Sequence, residues 1–120
     1  MVNPKIKRGT VVLINFPFSD GNSSKVRPAV IVTPDFLLPL TNDVLCVFIS
    51  SSQSINLLPS DYVIETTNPS FKETGLQLRS TLRGHKIALI EKTYVNRVIG
   101  KLDNILIDEM NKHIKIALGL

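Results

Sequence analysis

Apolar residues fall into short runs separated by polar, turn-forming stretches. Thr10 to Phe16 reads TVVLINF, rich in β-branched residues and of strand length, which predicts a strand buried on both faces. Pro17 ends it. Ser19-Asp20-Gly21-Asn22-Ser23-Ser24 then supplies turn chemistry, because Gly21 and Asn22 tolerate positive φ and the Asp and Ser side chains bond nearby backbone. A second run, Pro28 to Thr33, opens on a proline, as strand starts tolerate. The two runs predict an antiparallel pair around an exposed loop. Val44 to Ile49 reads as a third strand, closed by Ser50-Ser51-Ser52-Gln53-Ser54. Asp61 to Glu65 reads as a fourth, with Tyr62 and Ile64 on one face and Val63 on the other. Thr66 to Thr74 is polar, with a turn at Asn68-Pro69-Ser70. Further β-structure is expected in Gly75–Leu82 and Lys86–Glu91, joined by a turn at Arg83-Gly84-His85.

The period changes in the last segment. Asp103 is a good N-cap, Asp108 and Glu109 sit early, Lys112 and Lys115 late, and Ile107, Met110, Ile114 and Ala117 recur at helical spacing before Gly119. This predicts one amphipathic helix with His113 on its polar face. Short strands followed by one helix define a mostly β class, a small antiparallel barrel or curled sheet with a C-terminal α-helix packed on it. With 120 residues, 43% of them hydrophobic, the chain holds one core, and 1–120 is read as a single domain.

No run of about 18 apolar residues occurs, and the N-terminus lacks the apolar core of a signal peptide, so a soluble cytoplasmic protein with no membrane contact is expected. Cys46 is the single cysteine, and with only His85 and His113 beside it no His/Cys metal cluster can assemble; no metal and no cofactor are expected. Lys and Arg outnumber Asp and Glu by 14 to 10, a net charge of +4. Between Arg79 and Lys101 the cations Arg79, Arg83, Lys86, Lys92, Arg97 and Lys101 stand against one anion, Glu91. Such a run fits a polyanion or an acidic protein tail, and equally a solvated face. No Walker loop, Gly-x-Ser-x-Gly or His-Glu-x-x-His string is present, so the enzyme classes that need them lose weight.

One stretch carries a resemblance. Lys7-Arg8-Gly9-Thr10-Val11-Val12-Leu13-Ile14-Asn15-Phe16-Pro17-Phe18-Ser19-Asp20, followed by Lys25-Val26-Arg27-Pro28-Ala29-Val30-Ile31-Val32, resembles the opening of the MazF/PemK toxins of type II toxin–antitoxin systems. The likeness continues through Val47-Phe48-Ile49-Ser50-Ser51-Ser52, Ile87-Ala88-Leu89-Ile90-Glu91-Lys92 and Ile99-Gly100-Lys101-Leu102, so it spans nearly the whole chain. It implies an SH3-like barrel of the CcdB/MazF/PemK toxin type, a homodimer, and an acidic antitoxin partner. The implied activity is metal-independent, sequence-selective cleavage of single-stranded RNA to 2′,3′-cyclic phosphate and 5′-hydroxyl ends.

In that family the Arg before Pro and a hydroxyl residue at the end of the third strand are the catalytic pair, which the resemblance places on Arg27 and Ser50. The chemistry is compatible: a guanidinium offers two parallel donors to a phosphorane without changing protonation, and a hydroxyl can donate to a third oxygen. Asp20, Lys25, Ser51, Arg83, His85 and Lys86 are the expected substrate contacts. Two departures bear on catalysis. Ser50 stands where the family commonly has Thr, and the loop Asn22-Ser23-Ser24-Lys25 lacks the Glu that many members carry, leaving Asp20 as the nearest carboxylate. The alternatives are a non-catalytic member that binds antitoxin or nucleic acid, and a gyrase-poisoning toxin, against which Arg27-Pro28 argues. Tyr62 and Tyr94 fit base stacking or packing equally well.

Overall fold

In the computed structural model, which describes residues 5–16 and 25–120, the first apolar run forms β1, Thr10–Phe16. Val11, Val12 and Ile14 are fully buried, as a run without polar alternation requires. The remaining elements are β2 (Lys25–Ile31), β3 (Asp43–Ser50), β4 (Asp61–Ile64), β5 (Ser80–Glu91), β6 (Val95–Lys101) and α1 (Asn104–Leu118). The six strands make one antiparallel sheet in the order β4-β5-β3-β2-β1-β6. Side chains alternate between two buried clusters. Val11, Val30, Val47, Ile64 and Leu82 meet Leu106, Met110 and Ile114 of α1. Val12, Ile14, Ala29, Ile31, Val44 and Cys46 form the second cluster.

The helix ends as its sequence requires. The Asp103 carboxylate accepts the Leu106 N–H at 3.0 Å and the Ser70 hydroxyl. These bonds, the Ser70 one foremost, hold its pKa below the ordinary aspartate value. Gly119 closes the helix in the left-handed region at φ 74°.

Four expectations change. The turn at Arg83-Gly84-His85 does not exist: β5 runs unbroken from Ser80 to Glu91. Gly84 is there for close approach instead, since its N–H donates to the Ser60 carbonyl at 3.0 Å and a Cβ would come within 2.4 Å of that oxygen. Opposite it the β3 register shifts between Val47 and Ile49, which bends the long strand. The second strand begins earlier, at Lys25, with Pro28 inside it, across from Leu13 of β1 and one residue before the ladder with β3 begins at Ala29. The polar-looking segment Val95–Lys101 pairs with β1 as a sixth strand, an assignment the alternation alone did not predict. His113 lies against the sheet side of α1: its Nδ1 is 2.7 Å from the Glu109 carbonyl and its ring centroid 5.3 Å from that of Tyr62.

By hydrogen bonding the sheet is curled and open, with β4 and β6 as its edges. The β4–β5 connection covers the β6 edge, where its 3₁₀ turn Lys72–Thr74 meets Gly100 so closely that a Cβ there would lie 2.3 Å from the Glu73 carbonyl oxygen. Among the described residues no helix is long and apolar enough to cross a membrane.

Candidate active site

Arg27 is exposed on β2, directly across from Ile14 of β1. On its other side the β2–β3 register pairs Ile31 with Cys46 and Ala29 with Phe48. The β2–β3 ladder ends at Ala29 and Phe48; Arg27 and Ser50 each lie two residues past that last pair, at the same end of the two strands, and Ser50 pairs with Thr81 of β5. Among the described residues Arg27 makes no ion pair or side-chain hydrogen bond. The Ser50 oxygen accepts the Ser52 N–H at 3.2 Å, which orients the side chain and leaves its own O–H available to donate.

The residue after each of these two, Pro28 and Ser51, lines a groove of about 260 Å³ that opens on the face opposite Arg27. Leu13, Leu76 and Leu78 give it apolar walls, and Gln77 and Arg97 join it from the β4–β5 connection and from β6. Arg97 pairs across from Leu13, so the register shift within the β1–β6 ladder sets where it enters.

The other expected contacts disperse. Asp20 and the Lys25 side chain lie outside the described residues. Ser51 is exposed at the groove, its carbonyl accepting from Gln53 Nε2 at 2.6 Å. Arg83 is committed elsewhere: its Nε donates to Asp61 Oδ1 at 2.7 Å, with side-chain exposures of 14% and 0%. Asp61 also accepts the Leu58 N–H at 2.8 Å. His85 stands beside this pair, its Nδ1 3.8 Å from Asp61 and 3.5 Å from the Ser60 hydroxyl. Both approaches use the same ring nitrogen, so they form no serine–histidine–aspartate relay. Lys86 is exposed on β5, away from Arg27 and Ser50.

The basic run does not make one patch either. Arg79 pairs with Glu65 at 2.9 Å, and the Lys92 ammonium donates to the Leu38 carbonyl. Only Arg97 of the six lines the groove. Sequence reasoning counted it as one charge of a run and passed over Gln77, which carries no signal outside the fold. Tyr62 and Tyr94 pack against the two buried clusters. Burial, with Glu109 nearby, raises the Tyr62 phenol, and burial pushes the Cys46 thiol up to about 12, which leaves it inert at neutral pH.

A family model described as PemK-like, MazF-like toxin of type II toxin-antitoxin system matches residues 7–118. The chain belongs to this toxin family. Its fold is that of MazF-like toxins of known structure. One, an endoribonuclease in complex with its cognate antitoxin from mycobacterial species, is 18% identical with a TM-score of 0.75, covering 97% of this chain and 97% of that one. A MazE–MazF complex from Deinococcus radiodurans is 14% identical with a TM-score of 0.75, covering 100% and 99%. The Mycobacterium tuberculosis toxin MazF-mt6 is 19% identical with a TM-score of 0.72, covering 92% and 97%. At such identities the likeness carries the fold. No curated protein sequence matches the chain. The toxin family therefore rests on residues 7–118 as a whole, with Arg27 and Ser50 both inside the match.

Proposed function

We propose that this toxin is a metal-independent endoribonuclease that cuts single-stranded RNA, with Arg27 and Ser50 as its catalytic residues. The observation that carries the reading is an exposed arginine, unpaired among the described residues and at the same end of β2 and β3 as a hydroxyl whose proton is free to donate. In the reaction the 2′-oxygen attacks phosphorus as its proton leaves, the bond to the 5′-oxygen breaks and that oxygen takes a proton from water, and a 2′,3′-cyclic phosphate and a 5′-hydroxyl result. The phosphorane gains negative charge on its free oxygens. Arg27 meets two of them with parallel N–H donors and Ser50 a third, so the stabilisation grows as the charge develops. Neither group must change protonation for this, and neither needs a metal ion. Asp20, which falls between β1 and β2 in the sequence, is the candidate acceptor for the 2′-hydroxyl proton.

An acidic antitoxin partner is part of the reading, supported by the net charge of +4 and by the antitoxin complexes of similar fold. So is a homodimer, supported by the β4 edge of the sheet and by Leu45 and Leu89, an exposed cross-strand leucine pair on β3 and β5. The deciding experiment incubates the protein with a long single-stranded RNA in excess chelator and analyses the new ends. Cyclic phosphates and 5′-hydroxyls are expected. Loss of cleavage in chelator, or 5′-phosphate ends, overturns the mechanism. RNA that is bound but never cut selects the non-catalytic reading, to which Ser50 and the loop without Glu point.

A further inference from the structure

The groove beside Arg27 and Ser50 combines two chemistries. Leu13, Pro28 and Leu78 offer flat apolar contact, while Gln77 and Arg97 supply the polar groups within it. Ser80 is spent locally, its hydroxyl donating to the Leu78 carbonyl at 2.7 Å. At about 260 Å³ the space is of the scale of one nucleobase. A base suits it: apolar walls cover the ring faces, and the edge must then find partners, since a buried polar edge left unpaired loses affinity. A bare phosphate would satisfy Arg97 but gain nothing from the walls.

We propose that this groove is a base-reading pocket and that Arg97 makes it select a keto base, guanine or uracil, over adenine. Arg97 has only donors, and no partner among the described residues holds it. Guanine presents O6 and N7 as a pair of acceptors and uracil presents O4, whereas adenine sets its N6 amino donor beside N7 and N1 and so faces the guanidinium with a like donor. Gln77, with both a donor and an acceptor, completes the edge of either keto base. The assignment of RNA as the substrate rests on the endoribonuclease reading, but the pocket itself lies on the opposite face from the catalytic pair. Pro28 and Ser51 each follow a catalytic residue by one position, so a strand with its phosphate at Arg27 turns a neighbouring base over the rim.

The test uses octamers methylated at every 2′-oxygen, which have no nucleophile and cannot be cut: all-adenine, and adenine with one central guanine or one central uracil. The protein should bind a keto-containing octamer roughly tenfold more tightly than the all-adenine one. Arg97→Ala should erase that preference, Gln77→Ala reduce it, and Lys112→Ala, on the exposed side of α1, leave it intact. Preference for guanine assigns the two-acceptor edge and preference for uracil the single carbonyl; either supports the pocket. Equal binding of all octamers, or adenine preferred over both, overturns it. So does an Arg97→Ala protein that weakens every octamer by the same factor and keeps the preference, because that is a phosphate contact. Cleavage of ordinary RNA is measured in parallel. A protein that discriminates but never cuts sinks the nuclease reading alone, and one that cuts without discriminating sinks the pocket alone.

Discussion

Arg27 and Arg83 stand on the two strands that flank β3, on either side of Ser50, and they have opposite fates. Arg83 faces Asp61 across the β4–β5 ladder and is nearly covered, its charge matched by a carboxylate with no exposure at all. Arg27 faces Ile14 and the end of the β2–β3 ladder, where no carboxylate among the described residues meets it. A cation beside a buried anion belongs to the fold, because removing it strands the anion away from water. A cation whose neighbours are apolar keeps its donors for something that arrives. In sequence the two arginines are alike, each at the border of an apolar run, and the cross-strand partner separates them.

The sharpest test of this contrast is Arg27→Ala. RNA cleavage should fall about a hundredfold or more, since losing one preorganised donor to a transition-state oxyanion costs on the order of 3 kcal/mol. Its unfolding free energy should stay within about 0.5 kcal/mol of wild type, as for an exposed site. Single-turnover cleavage and urea denaturation together read both numbers, and an Arg27→Ala protein that cuts at the wild-type rate removes Arg27 from catalysis. Arg83→Ala should show the reverse pattern: a loss of about 2 to 3 kcal/mol in urea, because Asp61 stays buried with only the Leu58 amide bonded to it and the His85 ring 3.8 Å away, and only a small change in cleavage by the folded fraction. A stable Arg83→Ala protein with cleavage gone would turn the contrast upside down.

Ser50 gives a smaller effect. Ser50→Ala should slow cleavage roughly tenfold by removing one neutral donor. Ser50→Thr should match or exceed the wild-type rate, since the added methyl restricts the hydroxyl rotamer. Equal rates for all three would leave the hydroxyl without a part in the reaction. Smallest is the acid response of the helix cap. Asp103 has a lowered pKa in the folded state, so its stabilising contribution is complete above about pH 4 and is lost as the pH falls through the folded value. Asp103→Asn keeps an acceptor for the Leu106 amide but cannot titrate. Its thermal midpoint should therefore fall less steeply than that of wild type between pH 4 and pH 2; parallel curves would assign the acid sensitivity elsewhere.

Much of this fold is legible because it is local. β1, β3, β4 and α1 follow from apolar runs and from the Asp103 and Gly119 caps, all short-range signals. What the pattern hides is long-range. Gly84 reads as a turn residue, yet its role is set by Ser60 and by the backbone of His113. Val95–Lys101 looks polar because as an edge strand it exposes Asn96, Arg97 and Val98, and its glycine serves contact with the Thr74 turn. The same holds at the site. Arg27 and Ser50 come from a resemblance at the start of the second strand and the end of the third, whereas Arg97 and Gln77 come together only when β6 and the β4–β5 connection reach one end of the sheet.

The pairing of β1 with β6 also sets an order in time. Val11 meets Gly100 and Leu13 meets Arg97, so the first strand made waits for the last one before its outer ladder can form. Closing so long a stretch of chain is unfavourable until those contacts repay it, which makes this docking a late step in folding. During synthesis Arg27 and Ser50 leave the ribosome well before the groove beside them has its second wall. The nascent chain therefore carries Arg27 and Ser50 before it carries the groove, and the two are united only when β6 has emerged.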